Sequence, residues 1–152
     1  MNHVTTEIPV KETPDRFRLL ATFLAGRPLA VAVAPVGQPS YTDGRCVFVS
    51  AELPITQQRQ EVILQAALLG AGRFDQQLVR PLRGRFNLAK RYLMLEGCRV
   101  LSGLSGVANA IALPQTPITN SSEESLAVAK GKTSVADLPD WFGVIKPSQL
   151  LG

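Results

Sequence analysis

The segment Gln60-Glu-Val-Ile-Leu-Gln-Ala-Ala-Leu-Leu-Gly-Ala-Gly-Arg-Phe74 constrains the fold more than any other stretch. From Val62 to Leu69 every residue except Gln65 is apolar, so a helix wrapped at about 100° per residue has no polar face to turn toward water. Such an element has to be enclosed by the rest of the chain. With 152 residues, 45% of them hydrophobic, there is enough apolar side chain to enclose it within one domain. The run is far shorter than the roughly 20 apolar residues that cross a bilayer as a helix. Met1 to Lys11 carry a histidine, two threonines and charges where an export signal needs a basic start and an apolar stretch. Cys46 and Cys98 then read as two reduced, partly buried thiols, and the expected compartment is cytoplasmic.

The flanking sequence supplies the packing partners. Thr13-Pro14-Asp15 marks a helix start, and Phe17, Leu20, Ala21 and Leu24 recur at helical spacing until Gly26 and Pro28 stop the element. Leu29–Ala34 and Cys46–Val49 alternate β-branched residues as short strands, and Asp43-Gly44 between them is a hairpin signal. Gly70 and Gly72 close the central helix, which runs from about Gln58. A short helix from Asp75 to Leu82 follows, with Pro81 near its end, and Asn87 caps a longer one over Leu88 to Leu104.

Beyond Ser105 the chain turns rich in Gly, Ala and Pro and then polar, which predicts a linker and docking tail over residues 114–152. A brief helix over Glu123 to Ala129 and the proline-bounded pair Trp141-Phe142 are its ordered features. The expected organisation is therefore a flexible amino terminus (1–12), a globular domain (13–113) and that flexible tail. Its fold class is α+β: a small, mainly helical domain with a short β-hairpin.

Several chemistries are poorly supplied. The single histidine, His3, is terminal and the cysteines lack a Cys-x-x-Cys pair, so no zinc site, metal or other cofactor is expected. A serine or cysteine nucleophile would lack a histidine base. Leu69-Gly-Ala-Gly-Arg73 follows a helix instead of a strand, and Leu101-Ser-Gly-Leu-Ser-Gly-Val107 has no P-loop lysine. Asn120-Ser-Ser-Glu-Glu-Ser125 does not supply the Asp-x-Ser-x-Ser signature of a von Willebrand metal-adhesion site.

Glu96 is the exception, because it falls within the apolar arc of its helix formed by Leu88, Tyr92, Leu93, Leu95, Val100 and Leu104. It is either the buried partner of Arg99, one turn away, or an acid–base group. The net charge of +4 is concentrated between Arg73 and Arg99, where seven basic residues face only Asp75 and Glu96. Arg80, Arg83, Arg85 and Arg91 could therefore meet an acidic protein or a nucleic acid. Trp141 and Phe142 either anchor a partner or fold back on the domain.

Three stretches together, Tyr41-Thr-Asp-Gly-Arg-Cys-Val-Phe-Val49, Val62 to Phe74 and Tyr92-Leu-Met-Leu-Glu-Gly-Cys-Arg-Val100, resemble the amino-terminal region of the NorD and CobT-like proteins. Members of that family usually carry a von Willebrand type domain and work with MoxR-type AAA+ ATPases. The resemblance implies a zincin-like helix pair in which Gln65 and Leu69 stand in the places of two histidines and Glu96 in that of the downstream acid. Glutamine and leucine cannot hold an ion between them, so the metal positions would be vestigial. The implied function is a non-enzymatic protein-interaction module of a MoxR/von Willebrand-type chaperone or assembly system. Its rivals are a hydrolase using Glu96 with an unannounced metal and a nucleic-acid binder using the arginine group.

Overall fold

A computed structural model of the chain describes residues 16–104 and 111–152. The expected amino-terminal segment 1–12 and the Thr13-Pro14 helix start lie outside the described residues. Helix α1 (Arg18–Ala25) buries Ala21 and Ala25, and Phe17 just ahead of it is buried too. Gly26 ends it in the left-handed conformation (φ 70°), with its N–H bonded to the Thr22 carbonyl.

Strands β1 (Ala30–Val33), β2 (Tyr41–Thr42) and β3 (Cys46–Val49) form one sheet in the order β1-β3-β2. A short hairpin is present within residues 29–49, but Cys46–Val49 makes it with Tyr41–Thr42 (β2) and not with the 29–34 strand expected to be its partner. Asp43 shapes its turn by accepting the N–H groups of Arg45 and Cys46 on Oδ1, each at 2.9 Å. β1 instead pairs parallel with the other side of β3, from Ala30 opposite Cys46 to Val33 opposite Val49. Alternation sets which face of a strand is buried, not its direction. The proline-bounded stretch 35–39 carries the chain across to the far edge before it turns back.

The central helix α2 (Ile55–Gly70) is enclosed as its composition requires, and Val62, Ile63, Leu64, Ala66 and Leu68 have no exposure. Val62 and Ala66 face α1 and the sheet, in a cluster with Phe17, Leu29, Val31, Val47 and Val49. Ile63, Leu64, Ala67 and Leu68 face the helical half. Gly70 does more than end the helix. A Cβ there would run into the Leu24 carbonyl and the Ala25 backbone, so the glycine lets the end of α1 pack directly on α2. Gly70→Ala is expected to cost about 1–3 kcal/mol as the two backbones are forced apart. Urea unfolding checks this, and a loss below about 0.5 kcal/mol would contradict the close approach.

Helix α3 (Gln76–Val79) runs into a 3-10 turn at Arg80–Leu82 that contains Pro81. Helix α4 (Phe86–Ser102) begins one residue before Asn87, so Arg85 occupies the cap position and no side chain closes it. Residues past 114 add α5 (Ser122–Lys130), a 3-10 turn at Asp140–Phe142 and α6 (Pro147–Leu151). Packing does not stop near Pro114, because Ala129, Phe142 and Ile145 join the same apolar cluster as Leu93, Met94 and Leu95. Ser121 caps α5, its Oγ accepting the Glu124 N–H at 3.0 Å, and Glu124 Oε1 reaches back past the cap to the Asn120 N–H at 2.7 Å. The chain is thus a small, mainly helical α+β domain. Among the described residues no helix is long and apolar enough to cross a membrane.

Candidate functional site

Glu96 has no exposure and sits in the middle of α4. Arg99, one turn on, places Nε at 3.0 Å from Oε2 and Nη2 at 2.9 Å from Oε1, a two-point fork on one carboxylate. The first turn of α5 supplies two more donors, Ser122 Oγ to Oε1 at 2.6 Å and Ser125 Oγ to Oε2 at 2.5 Å. Arg73 adds charge: its Nε lies 3.5 Å from Oε1, close enough for an ion pair but without hydrogen-bond alignment. Its Nη1 donates to Ser122 Oγ at 3.2 Å. Tyr92 holds the Arg73 loop in place by donating its hydroxyl to the Arg73 carbonyl at 2.6 Å.

Burial alone would raise the Glu96 carboxyl, but the hydrogen bonds from Arg99, Ser122 and Ser125 outweigh it and hold the group below its ordinary range. Glu96 is consequently ionised at neutral pH and engaged on both oxygens. It has no proton to give and its lone pairs are taken, which suits a structural anion better than a general acid or base. Ser122 and Ser125 donate to this carboxylate, which is too weak a base, with its pKa lowered and both oxygens paired to Arg99, to activate either hydroxyl. Burial pushes the Cys98 thiol up to about 11, and burial together with the Asp43 charge does the same to Cys46, leaving both thiols protonated and weakly nucleophilic at neutral pH.

Gln65, Leu69 and Glu96, which the resemblance would set in the places of metal ligands, have separate tasks. Gln65 Nε2 donates to the Phe142 carbonyl at 3.1 Å, while Gln65 Oε1 finds no hydrogen-bond partner among the described residues. Leu69 packs against both apolar clusters. Glu96 answers to Arg99 and the two serines. Among the described residues no three His, Cys, Asp or Glu side chains gather as a metal site would need.

The arginine group divides in the same way. Arg91 is spent at the C-terminal end of α5, where its guanidinium donates to the carbonyls of Ala129 (2.9 Å), Val128 (3.2 Å), Gly131 (3.4 Å) and Thr133 (2.6 Å). It satisfies carbonyls that a helix end leaves unpaired. Arg80 bonds Gln76 Oε1 at 2.9 Å, and Arg83 and Arg85 are exposed. Of the aromatic pair, Phe142 is fully buried and Trp141 only partly so, the rings meeting edge to face at 4.7 Å. Phe142 therefore folds back on its own domain.

Glu61 is a second fully buried carboxylate, and the pattern reading passes over it. Its Oε1 accepts the Ser50 N–H at 2.8 Å and its Oε2 the Ser50 hydroxyl at 2.7 Å, while Gln58 Nε2 donates to the Ser50 carbonyl at 2.7 Å. The available signal was its position one turn before Gln65 on a helix that must be enclosed. Burial raises its carboxyl, and the Ser50 hydrogen bonds only partly offset this.

The two carboxylates bias stability in opposite directions. Glu96, lowered in the fold, contributes stability above the unfolded carboxylate pKa that is lost as pH falls through its folded value. Glu61, raised in the fold, contributes below the unfolded value and loses that contribution as pH rises through its folded value. Denaturant titrations of Glu61→Gln beside the natural chain should therefore show the variant gaining relative stability from mildly acidic to neutral pH. The reverse trend would mean that Glu61 is not a desolvated carboxyl.

Comparison of the chain with protein-family models, with curated proteins and with solved structures yields no match.

Proposed function

We propose that this domain is a non-enzymatic protein-interaction module built on a metal-free, zincin-like helix pair. One observation carries the reading: the only ionisable group at the three matched positions, Glu96, is saturated by Arg99, Ser122 and Ser125. A buried carboxylate held in this way fixes α4, α5 and the Arg73 loop relative to one another and is not itself free to act as a base. The assembly in which the module works is a MoxR/von Willebrand-type chaperone system, on the resemblance of residues 41–49, 62–74 and 92–100 to NorD and CobT-like proteins. Its partner is then a MoxR-type AAA+ ATPase or a von Willebrand-domain protein.

Two measurements on the intact chain test the proposal. Capture of a MoxR-type ATPase encoded beside this chain, specific over an unrelated AAA+ protein, is the expected result. Metal content after purification without chelators is expected to stay well below one equivalent. Stoichiometric zinc that disappears in Glu96→Gln would overturn the metal-free reading in favour of a hydrolase.

A further inference from the structure

We propose that the outer edge of β1, together with the neighbouring face of α1, docks an extended acidic and apolar segment of a partner protein by strand addition. The backbone carries the first part of the argument. In a parallel ladder the N–H and C=O of one residue point to the same neighbour, and those of the next residue point to the opposite side. Ala30 donates to the Arg45 carbonyl at 3.1 Å and Ala34 to the Val49 carbonyl at 2.7 Å, so residues 30, 32 and 34 face β3. Leu29, Val31 and Val33 face outward. The Leu29 pair is taken by Thr22 of α1, whose Oγ1 accepts the Leu29 N–H at 3.2 Å and lies 3.4 Å from its carbonyl. For the outward N–H and C=O groups of Val31 and Val33 there is no partner among the described residues.

The two edges of the sheet differ. Beyond β2, the Val144 N–H bonds the Ser40 carbonyl at 2.9 Å and the Lys146 ammonium sits 3.9 Å from the Tyr41 ring centre, so the carboxy-terminal segment covers that side. Among the described residues β1 has no such cover beyond Thr22, and its outward N–H and C=O groups belong to valines instead of lysine or proline, the Val31 side chain being buried in the core and Val33 exposed. Beside it, α1 exposes Leu19 (84%) and Phe23 (74%), one turn apart on the face opposite Ala21. Val33, at 41%, extends the apolar surface along the strand.

Charge selects the partner. From Arg16 to Pro35 the chain holds Arg16, Arg18 and Arg27 and no acidic residue, and all three arginines are exposed. Arg27 reaches the Gly44 carbonyl at 3.2 Å. The nearby carboxylates are already in use, Asp43 in its turn and Glu52 on the Gly37 N–H at 2.9 Å. An incoming strand that alternates apolar and acidic residues would pair its backbone with Val31 and Val33 and turn its side chains toward the apolar and basic surface of the adjoining helix α1. A second copy of this chain would bring the same arginines against one another, which disfavours self-pairing.

The inference deepens the interaction-module reading and rests on it for the partner being a protein. The probe is a short blocked peptide alternating glutamate and valine, with a lysine–valine peptide as control, added to the full-length chain. Binding is followed by fluorescence anisotropy and by amide hydrogen exchange resolved at single residues. The expected result is slowed exchange at Val31 and Val33 with the acidic peptide only. Affinity should fall about tenfold or more in Arg16→Glu/Arg18→Glu. Val33→Pro should bind as weakly, although it removes no N–H that β3 uses.

Four outcomes overturn the proposal. They are Val31 and Val33 amides already protected in the free chain, through its own residues 1–15 or through dimerisation; equal binding of the lysine peptide; binding that leaves both amides unprotected; and no binding. ATPase capture that persists without protection at these amides would sink the strand-addition site alone and leave the module reading in place.

Discussion

Glu96→Ala is expected to destabilise the domain by about 3 kcal/mol, the lower end of what breaking a buried ion pair costs. The lower end applies because both guanidinium partners reach solvent: the Arg73 and Arg99 side chains are 20% and 19% exposed, while Glu96 is wholly buried. Once the carboxylate is gone, the arginines can recover part of their hydration, but the Ser122 and Ser125 hydroxyls lose their acceptor inside the fold. Glu96→Gln should cost less, since its amide oxygen still accepts from one side. Urea unfolding with an unchanged slope is the measurement. A loss below about 1 kcal/mol in Glu96→Ala would mean that the carboxylate is not the tie between α4, α5 and the Arg73 loop.

Phe142→Ala is expected to have a comparable or larger effect, about 3–5 kcal/mol. Phe142 is fully buried, and its ring lies so close to Gly97 on α4 that a Cβ at that glycine would collide with it. Truncating the ring leaves a void bordered by Gly97 and Leu64, neither of which can grow to fill it. Trp141→Ala should lose much less because the indole is only partly covered. If the two substitutions cost the same small amount, the segment following Pro114 would be loosely held.

The two substitutions also separate what could be read from the residues from what could not. The Gly26 stop of α1, the enclosure of α2, the Pro81 turn and the presence of α4 were legible because each depends on a local stop signal or on one helical period, whereas the ends of α4 lie two residues earlier than its apolar spacing suggests and Asn87 is not its cap. Pairing of Glu96 with Arg99 was legible for the same reason, being a contact across one turn. The rest of that site depends on distant chain: Ser122 and Ser125 come from 26 and 29 residues beyond Glu96, and Gln65 meets a carbonyl 77 residues away. A brief helix over Glu123 to Ala129 was legible, but not the element that α5 packs on. Strand direction was equally silent, since β1 alternates in the same way whether it runs with β3 or against it. Glu61 ends the polar run Thr56–Glu61 in the first two turns of α2, a pattern that usually faces water, and only Ser50, placed over it by the chain that precedes the helix, closes the site.

Helix α2 supplies side chains to both apolar clusters, Val62 and Ala66 to one and Ile63, Leu64, Ala67 and Leu68 to the other. Neither half can melt while the other keeps its lining. The domain should therefore behave as a single cooperative unit despite its two clusters. Amides from Val62 to Leu68 should exchange only when the whole fold opens, with protection free energies equal to the global unfolding free energy.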